Sequence, residues 1–98
     1  MKISREIWID GRVKWNTLRK RSLRQYNRYK GHAYIVCTSP SEALLFEIIE
    51  AKWVGSYYNE ATVLALCETK QQALERVKTL VDALFNQQNI TYTQLKQE

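Results

Sequence analysis

The chain has 98 residues, of which 45% are hydrophobic and 26% are charged, and its formal net charge at pH 7 is +5. A chain of this length forms one domain with a modest core, and the near-average composition argues against disorder. No apolar run approaches the roughly 20 residues of a membrane span, and the first residues lack the apolar core of a signal peptide. We therefore expect a single small domain, residues 1–98, that is cytoplasmic and has no membrane partner.

The chain contains few residues suited to metal binding or catalysis. Its one histidine is His32, and its two cysteines, Cys37 and Cys67, are too isolated to form a disulfide framework or a metal site. No phosphate-binding glycine loop, paired-histidine helix or nucleophile elbow is present. We therefore expect two buried thiols, no metal and no cofactor, and we do not expect an enzyme.

The chain begins with a predicted strand and a predicted helix. Residues 3–10 are a short apolar run that ends at an Asp-Gly pair, which is typical of a strand closed by a turn. Residues 13–30 contain no glycine, proline or acidic residue and precede Gly31, a residue type that commonly follows the last turn of a helix. We therefore predict a helix over about residues 13–30.

The two faces of this helix differ in chemistry. At 100° per residue, one sector is rich in aromatic residues and the opposite sector is basic. The inner sector contains Trp15, Leu18, Ser22, Leu23, Tyr26 and Tyr29. The outer sector contains Lys14, Lys20, Arg21, Arg24 and Arg28. Arg19 and Lys30 fall on the inner side, from which their long stems would have to extend to water.

The middle of the chain is open to two interpretations. Residues 33–38 form a continuous apolar run, which indicates an inner strand. Ser39, Pro40 and Glu42 then match a helix start, with a capping serine, proline at the first helical position and glutamate three residues after the cap. We favour a helix over residues 43–54, but the apolar residues there also suit a strand, with residues 39–42 as the turn of a hairpin.

The clearest pattern in the chain is a strand followed by a helix. Thr62–Cys67 is a continuous apolar run that predicts an inner strand, and Thr69 with Gln72 predicts a capping box at the start of a helix. Apolar residues then recur at spacings of three and four. The residues that we expect to be nearly fully buried are Leu64, Leu66, Leu74, Val77, Leu80, Val81 and Leu84.

The remaining segments are predicted to be less regular. Residues 54–60 are predicted to be a loop in which Tyr57 and Tyr58 either pack on the core or form an exposed patch. Residues 90–93 suit a short edge strand, and residues 94–98 are expected to be a frayed tail.

Together these elements predict an α/β (or α+β) fold. We expect about three inner strands, in the order β-α-β-α-β-α, with amphipathic helices packed on the sheet. The second and third strands are expected to pair in parallel through a right-handed crossover.

The uneven distribution of charge is the observation that bears on function. Residues 1–31 hold ten Lys and Arg against two acidic residues, whereas residues 32–98 carry a net charge of −3. Residues 11–31 contain eight basic residues and no acid, so like charges on the predicted helix repel one another unless an acidic partner binds.

This asymmetry favours nucleic-acid binding, to DNA or RNA, by the basic amphipathic helix. The residues expected to contact the phosphates are the outer cations Lys14, Lys20, Arg21, Arg24 and Arg28. The alternative function is a protein–protein interaction module or a homodimer, in which the same helix docks on an acidic protein surface. A basic face that is merely solvated is the simplest interpretation.

Overall fold

The computed structural model describes residues 1–98 and contains four strands and three helices. The strands are β1 (Lys2–Ile9), β2 (Tyr34–Thr38), β3 (Phe46–Glu50) and β4 (Thr62–Cys67). The helices are α1 (Thr17–Tyr26), α2 (Lys70–Phe85) and α3 (Tyr92–Leu95). The predicted combination of a sheet with packed helices is confirmed, with four strands in place of three. None of the helices is both long and apolar enough to cross a membrane.

The four strands form one mixed sheet in the order β1-β4-β2-β3. β1 pairs in parallel with β4, whereas β2 is antiparallel to both of its neighbours, β4 and β3. The expected parallel pairing of residues 33–38 with residues 62–67 is therefore wrong. The reason is that β3 runs antiparallel to β2, and residues 51–61 then cross over to the other side of β2, so that β4 runs in the same direction as β3 and antiparallel to β2.

Residues 46–50 form a strand, so the favoured helix over residues 43–54 is wrong and the hairpin alternative holds. β3 pairs with β2 over its whole length, from Phe46 opposite Thr38 to Glu50 opposite Tyr34. The Ser39 hydroxyl donates a hydrogen bond to the Glu47 carboxylate across the hairpin instead of capping a helix. Sheet pairing thus outweighs a helix-start signal that is confined to four residues.

The sheet has a hydrophobic core on each face. The core on the α1 side contains Leu23, Ile35 and Val63, and the core on the α2 side contains Leu64 and Leu80. Every residue of β4 is buried, as its continuous apolar run predicts. A bulge in β4 places Leu64 and the next residue in the same core, because the register with β2 shifts by one residue there.

Helix α2 begins as the sequence predicts but buries a narrower stripe. The Thr69 side chain accepts a hydrogen bond from the Gln72 N–H at 3.2 Å, which confirms the capping box. Leu80 is 6% exposed, which confirms its predicted burial, whereas Leu74 is 42% and Val81 37% exposed, so the prediction is wrong for these two. Val77 and Leu84 are only partly buried, so the predicted near-complete burial is wrong for them as well. The stripe that packs on the sheet consists of Ala73, Val77, Leu80 and Leu84. Leu74 and Val81 each lie one residue, or 100°, beyond this stripe.

The end of the chain is helical and bonded to β1, which differs from both expectations for it. Thr91 caps the short helix α3, where an edge strand was predicted over residues 90–93. Leu95 is 2% exposed, and the Arg5 N–H donates to the Gln97 carbonyl at 2.6 Å, so residues 94–98 are not a frayed tail. Thr91 and Gln94 repeat the capping-box pattern of α2, and this pattern is the sequence signal for the short helix α3.

Candidate functional site

Helix α1 is shorter than the predicted helix over residues 13–30. It begins after Asn16, whose side-chain oxygen accepts a hydrogen bond from the Arg19 N–H at 2.8 Å. It ends at Asn27, which adopts a left-handed conformation with φ of 54°. Asparagine tolerates this conformation and caps helices at both ends, so two asparagines stop the helix well before Gly31.

The early end of α1 changes which side chains face the core. Leu23 is fully buried and Tyr29 is 8% exposed, but Leu18 is 71% and Tyr26 is 68% exposed. Tyr29 reaches the core from the segment after the helix rather than from a helical face. The predicted aromatic inner face is therefore wrong for Leu18 and Tyr26.

The segment that follows α1 forms a groove together with the crossover between β3 and β4. Four clefts, each of about 340 to 400 Å³, share lining residues and so adjoin one another on this part of the surface. The walls of this groove come from α1, residues 27–32 and residues 51–59. We call it the basic groove, because its lining includes Arg12, Lys14, Arg19, Arg28, Lys30 and Lys52. No acidic residue lines any of the four clefts.

Two of the six groove cations are partly neutralised by nearby acids. The Arg12 Nε atom lies 2.8 Å from a Glu68 carboxylate oxygen, and the Lys52 Nζ atom lies 3.8 Å from a Glu50 carboxylate oxygen. The other four cations have no ion-pair partner within the chain. Their positive charge is therefore available to an external anion.

Tyr29 and Arg19 hold the centre of the groove in place. The Tyr29 hydroxyl donates a hydrogen bond to the Lys14 carbonyl, and the Arg19 guanidinium lies 5.9 Å from the Tyr29 ring centroid. Arg19 Nε also donates to the Lys30 carbonyl at 3.1 Å. Burial raises the pKa of Tyr29 and the charge of Arg19 opposes that rise, so the phenol remains a neutral donor at pH 7.

Gly31 allows the chain to pass close to this tyrosine. Its φ is +132°, a value that residues other than glycine rarely adopt. A Cβ atom at this position would lie 3.3 Å from Tyr29 Cε1. The next residue, His32, lines the same end of the groove and lies edge-on to Tyr34, with 5.5 Å between the ring centroids.

The five predicted site residues fall into two groups. Lys14 and Arg28 line the basic groove, at positions before and after the helix. Lys20, Arg21 and Arg24 lie on α1, are exposed, and line none of the clefts. Arg24 is also 3.8 Å from the Glu98 carboxylate, which reduces its free charge.

Four groove cations were absent from the prediction. Arg19 and Lys30 were noticed only as misfits on the inner side of the helical wheel, and that misfit was the available signal. Arg12 lies before the predicted helix, and Lys52 belongs to a distant segment that only the tertiary fold brings to the groove.

Comparisons of the chain with protein-family models, with curated proteins and with solved structures found no match. The functional argument therefore rests on the geometry and charge of the basic groove.

Proposed function

We propose that the protein binds nucleic acid, with the phosphate backbone lying in the basic groove. The observation that carries this proposal is a group of four adjoining clefts with six cations and no acid in their lining. Phosphate is the repeating anion that such a row of cations matches, and cations that contact it release condensed counterions. The proposed role is binding rather than catalysis.

Charge repulsion within the groove supports this proposal over a merely solvated surface. Solvated protein surfaces normally mix charges of both signs, which relieves repulsion between neighbours. Here Arg19, Arg28 and Lys30 occur within 12 residues, line adjoining clefts and have no acidic partner. Such an arrangement costs stability in the free protein, and a bound polyanion removes that cost.

The first test removes two groove cations and measures binding against salt. Arg28→Ala combined with Lys30→Ala should weaken binding of labelled oligonucleotides at low salt, measured by fluorescence anisotropy. Binding by the variant makes fewer phosphate contacts and therefore releases fewer counterions, so the slope of log K against log salt should flatten. The expected change is about 0.7 units per contact on a single strand and about 0.9 on duplex DNA.

The matched control removes the same charge from another surface. Lys70 and Lys78 are exposed on α2, have no ion pair and lie outside the groove. The Lys70→Ala and Lys78→Ala double variant should bind almost as the natural protein does. Equal losses in both double variants would indicate a global charge effect and contradict a groove site.

A second comparison tests the outer face of α1. Lys20→Ala with Arg21→Ala should reduce affinity less than the groove variant, since neither side chain lines a cleft. If no DNA or RNA binds at low salt, the proposal fails. An acidic protein surface would then be the partner class to test, by asking whether the same variants lose a pull-down partner.

A further inference from the structure

Exposed aromatic side chains lie in the lining of the basic groove and beside it. Tyr26, in the last turn of α1, is 68% exposed and lines the cleft that also contains Arg28. Trp53 is 68% exposed; it lines none of the clefts itself, but its ring centroid lies 5.4 Å from the Nζ atom of Lys52, which lines one of them. A tryptophan so exposed presents a large flat ring that a partner can cover.

A third exposed aromatic residue, Tyr57, belongs to the same crossover segment but lines none of the clefts. Tyr57 is 59% exposed and directly follows Ser56, which lines the groove. Its ring packs edge-on against Tyr58, with 5.0 Å between the centroids, and the Tyr58 hydroxyl donates to Glu47 at 3.0 Å. Tyr57 is therefore positioned by a neighbour that is itself held in place.

The two walls are fixed relative to each other by one side chain. The Asn27 side-chain amide donates to the Gly55 carbonyl at 3.2 Å and to the Asn59 side-chain oxygen at 2.5 Å. Asn27 also caps the end of α1. The aromatic rings in and beside the groove are thus presented on a frame that exists before any ligand binds, which lowers the entropic cost of binding.

The concave shape of the site favours a single nucleic-acid strand over a duplex as the ligand. Proteins that read a duplex usually insert a protruding helix or strand pair into its major groove. The basic groove is instead a cleft, and the bases of a duplex are stacked inside the helix where exposed rings do not reach them. A single strand offers phosphates and unstacked bases together, which matches cations beside exposed aromatic rings.

Building on the proposed function, we infer that the ligand is a single strand of DNA or RNA whose bases stack on Tyr26 and Trp53 while its phosphates lie in the basic groove. Lys52 contributes to both contacts, since its Nζ atom lies 5.4 Å from the Trp53 ring centroid. Every base has a π face, so this recognition tolerates many sequences.

The test compares strands that differ in their bases but share their phosphates. Labelled oligonucleotides of about 12 nucleotides suit a site of this type. They are offered as an intact single strand of DNA or RNA, as an abasic strand of the same length, and as a duplex. The natural protein should bind the intact strand on the order of a hundredfold more tightly than the abasic strand, because the abasic strand loses the stacking on both rings and each stacked base contributes on the order of tenfold.

Substitutions at Trp53 supply the protein side of the test. Trp53→Ala should reduce affinity for the intact strand on the order of tenfold and leave affinity for the abasic strand unchanged. Trp53→Phe should restore most of the affinity and remove most of the quenching of tryptophan fluorescence by the strand, since Trp53 is the most exposed of the three tryptophans. Phe85→Ala, which removes a 59% exposed ring from α2 outside the groove, is the matched control.

Two outcomes distinguish a failure of the stacking inference from a failure of the proposed nucleic-acid binding. If the abasic strand and the duplex bind as tightly as the intact strand and Trp53→Ala has no effect, the stacking inference is overturned. Phosphate binding would still stand in that case, provided that the Arg28 and Lys30 double variant loses affinity. If that double variant keeps full affinity, or no strand binds at low salt, the proposed function itself is overturned.

Discussion

Asp10 connects the ends of the two parallel strands. Its N–H donates to the Leu66 carbonyl at 2.9 Å, and its carboxylate accepts the Arg12 N–H at 3.2 Å and the Glu68 N–H at 3.3 Å. The Arg12 N–H bond is the main reason that the pKa of Asp10 is lowered; the Glu68 N–H and the Arg12 charge add to it, and burial opposes it. The ionised carboxylate therefore stabilises the fold.

This shift predicts how stability depends on pH. Because the pKa of Asp10 is lower in the folded state than in the unfolded state, its stabilisation is fully present above the unfolded value of about 4 and is lost as pH falls further. Asp10→Asn should lower Tm at pH 7, and the gap to the natural protein should narrow below pH 4. Circular dichroism melts at several pH values measure this gap.

A matched control separates this effect from net charge. Glu42→Gln removes an exposed carboxylate that makes no side-chain hydrogen bond, with the same change of charge. It should leave Tm at pH 7 almost unchanged. A gap between Asp10→Asn and the natural protein that stays constant from pH 7 to pH 3 would contradict the role given to the ionised form.

The two cysteines illustrate what single residues reveal without a structure. Burial, with a smaller effect of the Glu47 charge, raises the pKa of Cys37 to about 12. Burial, with a smaller effect of the Asp10 charge, raises the pKa of Cys67 to about 11. Their predicted burial is confirmed, and both thiols stay protonated and unreactive at neutral pH.

At the scale of one element, α2 offers a test of the packing that holds it to the sheet. Leu80 is 6% exposed in the core beneath α2, so Leu80→Ala should cost about 2–5 kcal/mol through lost burial and a residual cavity. Leu74 lies on the same helix but is 42% exposed, so Leu74→Ala should cost less than about 1 kcal/mol. Urea unfolding monitored by circular dichroism measures both values.

The contrast between these two leucines is the informative part of the experiment. Equal costs for both substitutions would show that the helix buries the wider stripe that sequence periodicity predicts. An unchanged m-value is needed for the comparison, because it shows that the surface exposed on unfolding is the same in each variant.

The elements that were predictable are those whose local signals agree with the tertiary structure. β4 is a continuous apolar run and is buried on both faces, and the Thr69 capping box opens α2 as expected. The segment after β2 carries an equally good helix start, yet its apolar residues pair with β2 as β3. The sequence of this segment alone does not show that β2 is available to pair with it, so it cannot indicate whether a helix or a strand forms.

The candidate site was predictable in charge but not in shape. The excess of cations in residues 11–31 was evident from the sequence, whereas their arrangement depends on Asn27 ending α1 in a left-handed conformation. That turn moves Arg28 and Lys30 off the helix and brings Lys30 to Arg19. Lys52 comes from the crossover between β3 and β4. The path of this crossover depends on the β2–β3 hairpin, which the sequence did not distinguish from a helix.

At the scale of the whole molecule, the basic groove concentrates positive charge on one side of a protein that carries a net charge of +5. Unrelieved repulsion between like charges on neighbouring positions costs about 0.2–0.5 kcal/mol per pair at low salt. Salt screens this repulsion, since the Debye length is about 10 Å at 0.1 M and about 30 Å at 0.01 M. The free protein should therefore be more stable at moderate salt than at very low salt.

This repulsion gives a prediction that requires no ligand. At about 0.01 M salt, Arg28→Ala with Lys30→Ala should raise Tm by a few degrees, because a domain of this size gains about 4–8 °C per kcal/mol. The gain should shrink at about 0.1 M salt, and it should exceed the gain from the Lys70 and Lys78 double variant. Thermal melts of the three proteins at both salt concentrations measure it. If the Arg28 and Lys30 double variant melts below the natural protein at both salt concentrations, these two cations stabilise the free fold. Their presence in the groove would then be explained by stability and not by a ligand.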